Sequence, residues 1–202
     1  MARANTPRAK VVRLFNENIF GNPKFDKILA KKPHRPGHHG QRYIRKRSDY
    51  ALQLTEKQKL RAYYGVLERQ FRRYYNRARK LKAATGAKLL EILESRLDNI
   101  IYRAGLAPTR AAARQLVGHG HVLVDGKKID VPSYEVKPGA VVSLTDKGQK
   151  VPHVAELLSD KDFSPPKWIK RKAAVAKVER LPQREEVDAN IQEQQIVEFY
   201  SR

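Results

Sequence analysis

The chain contains no cysteine. Disulfides, thiolate metal sites and cysteine nucleophiles are therefore excluded, and the composition fits a reducing cytosol. No apolar run reaches the roughly 18 residues that a membrane-spanning helix needs. Neither a secretory apolar core nor a long amphipathic transit-like segment follows Met1, so no targeting leader is expected. Acidic residues are scarce: 21 Asp and Glu face 42 Lys and Arg, a net charge of +21 in 202 residues. Self-repulsion at that level destabilises a compact state unless a polyanion neutralises it. Nucleic acid is the leading partner, with an anionic membrane surface as the competitor. A chain of this length holds one or two domains.

The acidic deficit is uneven. Residues 1–80 hold 22 Lys/Arg and 5 Asp/Glu, a net of +17. Residues 81–202 hold 20 and 16, a net of +4. The polyanion is thus expected mainly against the first part of the chain.

Residues 1–47 carry short apolar islands such as Val11-Val12 and Ile19-Phe20 among Pro, Gly, Lys and Arg. Such a segment buries too little apolar surface to offset its own ordering entropy. It reads as a basic, largely irregular extension that orders against a partner. Within it, KKPHRPGHHGQRYIRKR (31–47) combines prolines and glycines that oppose regular structure. Gly37 and Gly40 allow the backbone to approach a ligand closely. Arg35, His38, Gln41, Arg42, Arg45, Lys46 and Arg47 are candidate phosphate contacts. His34, His38 and His39 raise a metal reading. No cysteine or acid accompanies them and the local positive field repels a divalent cation, so no metal is expected. No P-loop pattern occurs.

Thr55-x-x-Gln58 has the form of a capping box, and helical spacing continues towards Lys82, predicting one long helix. Leu60, Tyr64, Leu67, Phe71, Tyr74, Ala78 and Leu81 fall within an arc of roughly 100°, the width of a core-facing stripe. Arg61, Arg69, Arg72, Arg73, Arg77, Arg79 and Lys80 fall on the other side, with Glu68 the main exception. A solvated amphipathic face is the ordinary reading. Like charges four residues apart, as in Arg69/Arg73/Arg77, cost stability in isolation, and a polyanion removes that cost. This face is read as RNA-facing, and Tyr50, Lys57 and Lys59 upstream join the candidate contacts.

Residues 94–145 change pattern twice. Apolar spacing near 3.6 runs from Leu89 to Ala104, Gly105 and Pro108 interrupt it, and Thr109 can cap a second short helix through Val117. Then His121-Val-Leu-Val124 meets Asp125-Gly126, a strong two-residue hairpin signal. Pro138-Gly139 marks another turn before Ala140–Leu144. Two helices on a small bent sheet are expected, carrying Arg96, Arg103, Arg110, Arg114, Lys127 and Lys128 as phosphate contacts. His119 and His121 flank a glycine-rich connection and read as phosphate contacts or turn caps.

This stretch resembles the small RNA-binding module named after the fourth protein of the small ribosomal subunit, here S-four. The resemblance rests on Arg96-Leu97-Asp98, Thr109-Arg110, Ala113-Arg114-Gln115, His119-Gly120, Val124-Asp-Gly126 and Pro132-Ser133. The candidate contacts accordingly include Asn99, Thr109 and Gln115. The module also occurs in pseudouridine synthases, so by itself it implies structured RNA and not one owner.

Beyond Thr145, residues 149–166 read as irregular, and the 57 residues after Thr145 show no strand periodicity. Trp168, the single tryptophan, stands beside Lys167, Lys170, Arg171 and Lys172. Residues 179–202 reverse the charge, with six acids and three bases. Such a tail is expected to pack on the basic N-terminal part or to meet a basic protein, through anchors such as Val197, Phe199 and Tyr200. No catalytic set is suggested: Ser95, Ser133 and Ser143 lack an elbow motif, and Asp98 and Asp125 have structural explanations.

The resemblance extends over the chain. Pro33–Gln41, Ser48–Leu60, Tyr64–Arg73, Leu93–Arg103 and the ending Gln195–Ser201 are similar to the bacterial S-four ribosomal family, strongly over about residues 30–145. Family members with N-terminal cysteines bind zinc; this chain has none, so that role is not carried over and no cofactor is expected. The resemblance implies an α+β protein: a helical domain (48–93 and 146–202) with an inserted module (94–145). It also implies a non-enzymatic, cytoplasmic constituent of the small ribosomal subunit, with a plastid ribosome as the alternative source. Its implied partners are small-subunit rRNA at a multi-helix junction of the 5′ domain, ribosomal protein S-five, and mRNA near where it enters the subunit. The S-five contact is associated with decoding fidelity. Val197, Phe199 and Tyr200 are the candidate protein interface. An RNA-modifying enzyme and a non-specific nucleic-acid coat are the competing classes.

Overall fold

A computed structural model describes residues 6–41, 48–81, 84–160, 163–187 and 190–202. The chain divides into two compact units, residues 1–86 with 189–202, and residues 87–188.

In the first unit, α1 (Arg8–Phe15) and α2 (Pro23–Lys31) lie in the segment expected to be largely irregular. Local signals explain both. Asn16 ends α1 in the left-handed region, and the Asn22 side chain accepts from the Lys24 amide at 2.9 Å ahead of Pro23 at the first helical position. Val11 and Val12 are buried.

The single long helix expected from Thr55 is two helices, α3 (Asp49–Tyr63) and α4 (Glu68–Arg79). Ser48, not Thr55, caps α3 by accepting from the Ala51 amide at 3.3 Å. Thr55 sits inside the helix and donates back to the Ala51 carbonyl at 2.6 Å. Gly65, at φ 63°, stops α3: the Val66 amide reaches the Arg61 carbonyl and the Gly65 amide that of Ala62, a Schellman-type ending. The stripe residues Leu60, Tyr64, Phe71, Tyr74 and Ala78 are buried, whereas Leu67 and Leu81, at the two ends of α4, are exposed. The C-terminal helix α10 (Glu193–Ser201) packs on α3.

The second unit contains most of α5 (Thr85–Glu94), then α6 (Leu97–Arg103) and α7 (Arg110–Gly118). The helical spacing from Leu89 to Ala104 is broken at Ser95–Arg96. There the chain at 134–136 forms a bridge: the Leu97 amide donates to the Tyr134 carbonyl and the Val136 amide to that of Ser95. Thr109 caps α7, accepting from the Ala112 amide at 3.2 Å.

Strands β1 (Val122–Val124) and β2 (Lys127–Lys128) form the expected hairpin, with Asp125 and Gly126 at φ 49° and 77°. Strand β3 (Val141–Leu144) follows, then α8 (Asp146–Gln149), α9 (Pro152–Ser159), β4 (Ile169–Lys172) and β5 (Val175–Val178). The antiparallel sheet runs β2-β1-β3-β5-β4. It therefore does not close near Thr145. Residues after 145 return as a hairpin, with β5 pairing β3, and the stretch read as irregular contains α9. Trp168, expected among cations, is 1% exposed and packs with Ile100, Val142 and Ala176 in one core.

Candidate nucleic-acid interface

Helix α4 separates its two faces cleanly. Phe71, Tyr74, Tyr75 and Ala78 are buried, while Arg69, Arg72, Arg73, Arg77, Arg79 and Lys80 are exposed. The aromatic stripe anchors the helix, and the arginines stand on the exposed side, where α4 itself carries no acid beyond Glu68 in its first turn. The result is a row of guanidiniums suited to phosphate oxygens.

Not every cation predicted for the interface reaches it. Lys57 and Lys59 are only 7% and 8% exposed. The Lys57 ammonium meets Glu68 at 2.9 Å and lies 4.6 Å from the centre of the Phe199 ring. Lys59 pairs with Glu17 at 2.5 Å and donates to the Asn190 carbonyl at 2.6 Å. Both hold unit 1 together, and their place in the phosphate-contact set is corrected on that ground. Arg61 is half-buried and pairs with Glu68 at 3.2 Å. Tyr50 is exposed, with its ring 5.6 Å from that of Phe199.

The C-terminal anchors also face inward in part. Tyr75 donates to the Val197 carbonyl, and the Tyr200 ring stacks on Tyr75 at 4.5 Å. Burial pushes the Tyr200 phenol up, and its hydrogen bond to Glu68 and that residue's charge add to the shift. For Glu68 burial acts upward, but hydrogen bonds from Lys57 and Tyr200 and the charges of Lys57 and Arg61 prevail and lower it.

In the loop before α3, the Arg13 guanidinium donates to the carbonyls of His34 and Arg35, fixing a turn from inside. A Cβ on Gly40 would meet the Arg35 carbonyl oxygen at 1.8 Å. Gly40 is thus required by the protein's own backbone, a correction to its expected role in approaching a ligand. Arg35 is half-buried, His38 stacks on His39 at 5.2 Å, and His38 and Gln41 are exposed. Arg42, Arg45, Lys46 and Arg47 lie outside the described residues.

In unit 2 the predicted contacts split into an inner and an outer set. Arg96, Asn99 and Arg103 are buried. Arg96 holds Asp98 through Nε at 3.0 Å and Arg103 holds Glu94 at 2.9 Å, so these arginines serve the fold and not a ligand directly. Thr109 is occupied as the α7 cap. Arg110 and Arg114 emerge half-buried on one face of α7, and Gln115 and His119 are exposed. His121 is half-buried with its ring 6.1 Å from that of His119. Lys127 and Lys128 are exposed on the outermost strand, and Gly120, at φ 69°, leaves room for the Lys128 side chain across the turn after α7.

Lys170, Lys172 and Lys177 are also exposed, on β4 and β5, with Lys170 paired to Glu179 at 2.6 Å. IKRK and VAKV alternate inward and outward in four-residue strands, too short for the period to stand out in the sequence.

Fold and charge together define a class: a basic α+β protein of two units, presenting arginines on a helix of each. Residues 3–94 match the family model described as "Ribosomal protein S4/S9 N-terminal domain", and residues 95–142 match that of the S4 domain. The chain is 48% identical over 204 residues to "Small ribosomal subunit protein uS4" of Parabacteroides distasonis, covering 100% of both chains. It is 46% identical to the protein of that name from Bacteroides fragilis and 45% to that from Porphyromonas gingivalis, again over 100% of each chain. The chain belongs to the uS4 family of small ribosomal subunit proteins.

Proposed function

We propose that this protein is a structural, non-catalytic constituent of the bacterial cytoplasmic small ribosomal subunit that binds small-subunit rRNA directly. The observation that carries the reading is the one-sided arginine face of α4, exposed along the whole helix while the opposite face is buried. Guanidiniums so placed neutralise converging phosphates without reading base edges, and shape and backbone dominate recognition. The module's Arg110, Arg114, Gln115, His119, Lys127 and Lys128 form a second RNA contact. The finer reading is a multi-helix junction in the 5′ domain of the rRNA, bound early so that it nucleates assembly. Contact with ribosomal protein uS5 contributes to accuracy, and mRNA passes near the protein where it enters the subunit.

The test is affinity for a transcribed 5′-domain rRNA fragment against a random-sequence RNA duplex over a salt series. The expected result is preference for the junction and a steep fall in affinity with salt, through counterion release. Equal affinity for both RNAs, or affinity indifferent to salt, would sink the reading. Base modification of rRNA on incubation with the protein would replace it with an enzymatic one.

A further inference from the structure

Two adjacent residues of α6 each hold one arginine of α7. Asn99 Oδ1 accepts from Nε of Arg110 at 2.8 Å. Asp98 Oδ2 accepts from the Arg114 guanidinium at 3.3 Å. Arg110 and Arg114 stand one turn apart, so they project from the same face of α7. The Arg110 guanidinium also lies 4.4 Å from the centre of the Tyr102 ring, a third support from α6.

Behind each holder is a carboxylate already matched by a buried arginine. Glu94 accepts from the Asn99 amide at 2.6 Å and from Arg103 at 2.9 and 3.1 Å. Asp98 accepts from Nε of Arg96 at 3.0 Å and from a second guanidinium nitrogen at 2.5 Å. The side chains of Arg96, Asp98, Glu94 and Arg103 are 2%, 7%, 1% and 7% exposed. Each buried pair is electrically neutral. Asp98, already matched by Arg96, therefore does not by itself cancel the charge of Arg114, and Glu94, matched by Arg103, reaches Arg110 only through the neutral Asn99.

We infer that Asp98, Asn99 and, through Asn99, Glu94 are positioning residues that fix Arg110 and Arg114 for RNA phosphates. Arg96 and Arg103 cancel the carboxylates' charge so that the α7 arginines retain theirs. The inference rests on the rRNA-binding reading above and deepens it. Its physical content is preorganisation. A long arginine side chain that is ordered on folding loses no further rotamer freedom when it binds.

The experiment exploits a conflict of sign. Asp98→Asn raises the net charge by one, so a purely electrostatic surface would bind RNA more tightly and with a steeper salt dependence. A positioning role requires the opposite. Full-length Asp98→Asn, Asn99→Ala, Arg114→Ala and the double variant Asp98→Asn/Arg114→Ala are titrated with the transcribed 5′-domain rRNA fragment over a salt series. Circular dichroism checks the fold of each. Asp98→Asn and Asn99→Ala are each expected to weaken binding by roughly five- to thirty-fold. The salt slope should fall by up to about one for Asp98→Asn, as when a phosphate contact is lost. In the Arg114→Ala background, Asp98→Asn should change affinity by less than about two-fold, because its effect passes through Arg114. Asn99→Ala carries no charge change and leaves the Glu94–Arg103 pair in place, so it decides the matter if Asp98→Asn fails to fold. Wild-type protein that binds the fragment, while folded Asp98→Asn or Asn99→Ala binds it as tightly, overturns this inference alone. Wild-type protein that ignores the fragment overturns the rRNA reading, and this inference with it.

Discussion

The phenol of Tyr200 donates a 2.7 Å hydrogen bond to Oε1 of Glu68, fastening the end of α10 to the first turn of α4. Glu68 is the one acid among the α4 arginines, and its position in the first turn also complements the helix dipole. Its two oxygens are shared by Tyr200, Lys57 and Arg61. The acidic C-terminal segment thus docks on α3 and α4 through aromatic rings and a shared carboxylate, with Gln53 donating to Glu198 at 3.0 Å as a further tie. Arg69, Arg72 and Arg73 stay exposed beside this docking, because the buried aromatic residues Phe71 and Tyr75 receive the Tyr200 ring.

Removing the phenol tests this joint. Tyr200→Phe should cost about 1–2 kcal/mol, the low end for a hydrogen bond to a charged acceptor because the site is half-exposed. Urea denaturation reads it. The pH dependence has a defined sign. Glu68 is lowered from its ordinary 4.5, so its contribution is present above that value and lost as pH falls through the lower folded one. Tyr200 is raised from its ordinary 10.0, so its contribution is full below that value and lost as pH rises through the higher folded one. Tyr200→Phe should erase the alkaline loss and leave the acid side partly intact. An unchanged alkaline limb in the variant would refute the assignment.

Lys57 separates a structural cation from an RNA-contacting one. Its ammonium is enclosed by Glu68, Phe199 and Tyr200. Lys57→Met should destabilise unit 1 by about 1–3 kcal/mol, through a carboxylate that loses a partner. Affinity of the folded variant for the rRNA fragment should stay within about two-fold. A loss of affinity as large as that of an α4 arginine variant would return Lys57 to the interface.

Arg73 should behave in the reverse way. It is exposed, one turn from both Arg69 and Arg77. Arg73→Gln should lower the salt slope of rRNA binding by about one. Thermal stability should change by no more than about 0.5 kcal/mol, with relief of like-charge repulsion favouring the variant. A variant with unchanged affinity and slope would exclude this part of α4 from the contact.

Two glycines with positive φ should differ in cost. Gly65, at φ 63°, ends α3 with open space where a Cβ would stand, so Gly65→Ala meets backbone strain alone, about 1 kcal/mol. Gly105, at φ 69°, has the Phe163 ring at 2.5 Å from that position. Gly105→Ala should therefore cost about 3 kcal/mol, from strain plus displacement of the ring. Parallel denaturation curves of the two variants decide the order.

Much of the local structure was legible in the chain. Asp125-Gly126 specified its turn, Thr109 its cap, and the spacing of Phe71, Tyr74 and Ala78 the buried side of α4. Helix boundaries were less so. The spacing over 55–82 is continuous, and only the positive φ at Gly65 and a tertiary bridge at Ser95–Arg96 show where two helices end. Strands β4 and β5 are not legible in the sequence, because four residues give two inward positions each, too few to establish a period.

By itself the sequence determined the chain's overall charge, its asymmetry along the chain, the RNA-binding class and the family, since these rest on composition and on contiguous motifs. Tertiary structure alone decided which cations face outward. Lys59 and Arg103 carry the same signature in sequence as Arg72, yet Glu17, 42 residues upstream of Lys59, and Glu94, on the preceding helix, are brought against them in the fold. Periodicity tells which side of a helix a residue occupies. It does not tell which distant carboxylate arrives there, and at short range that arrival decides whether a cation is held in the core or stays at the surface.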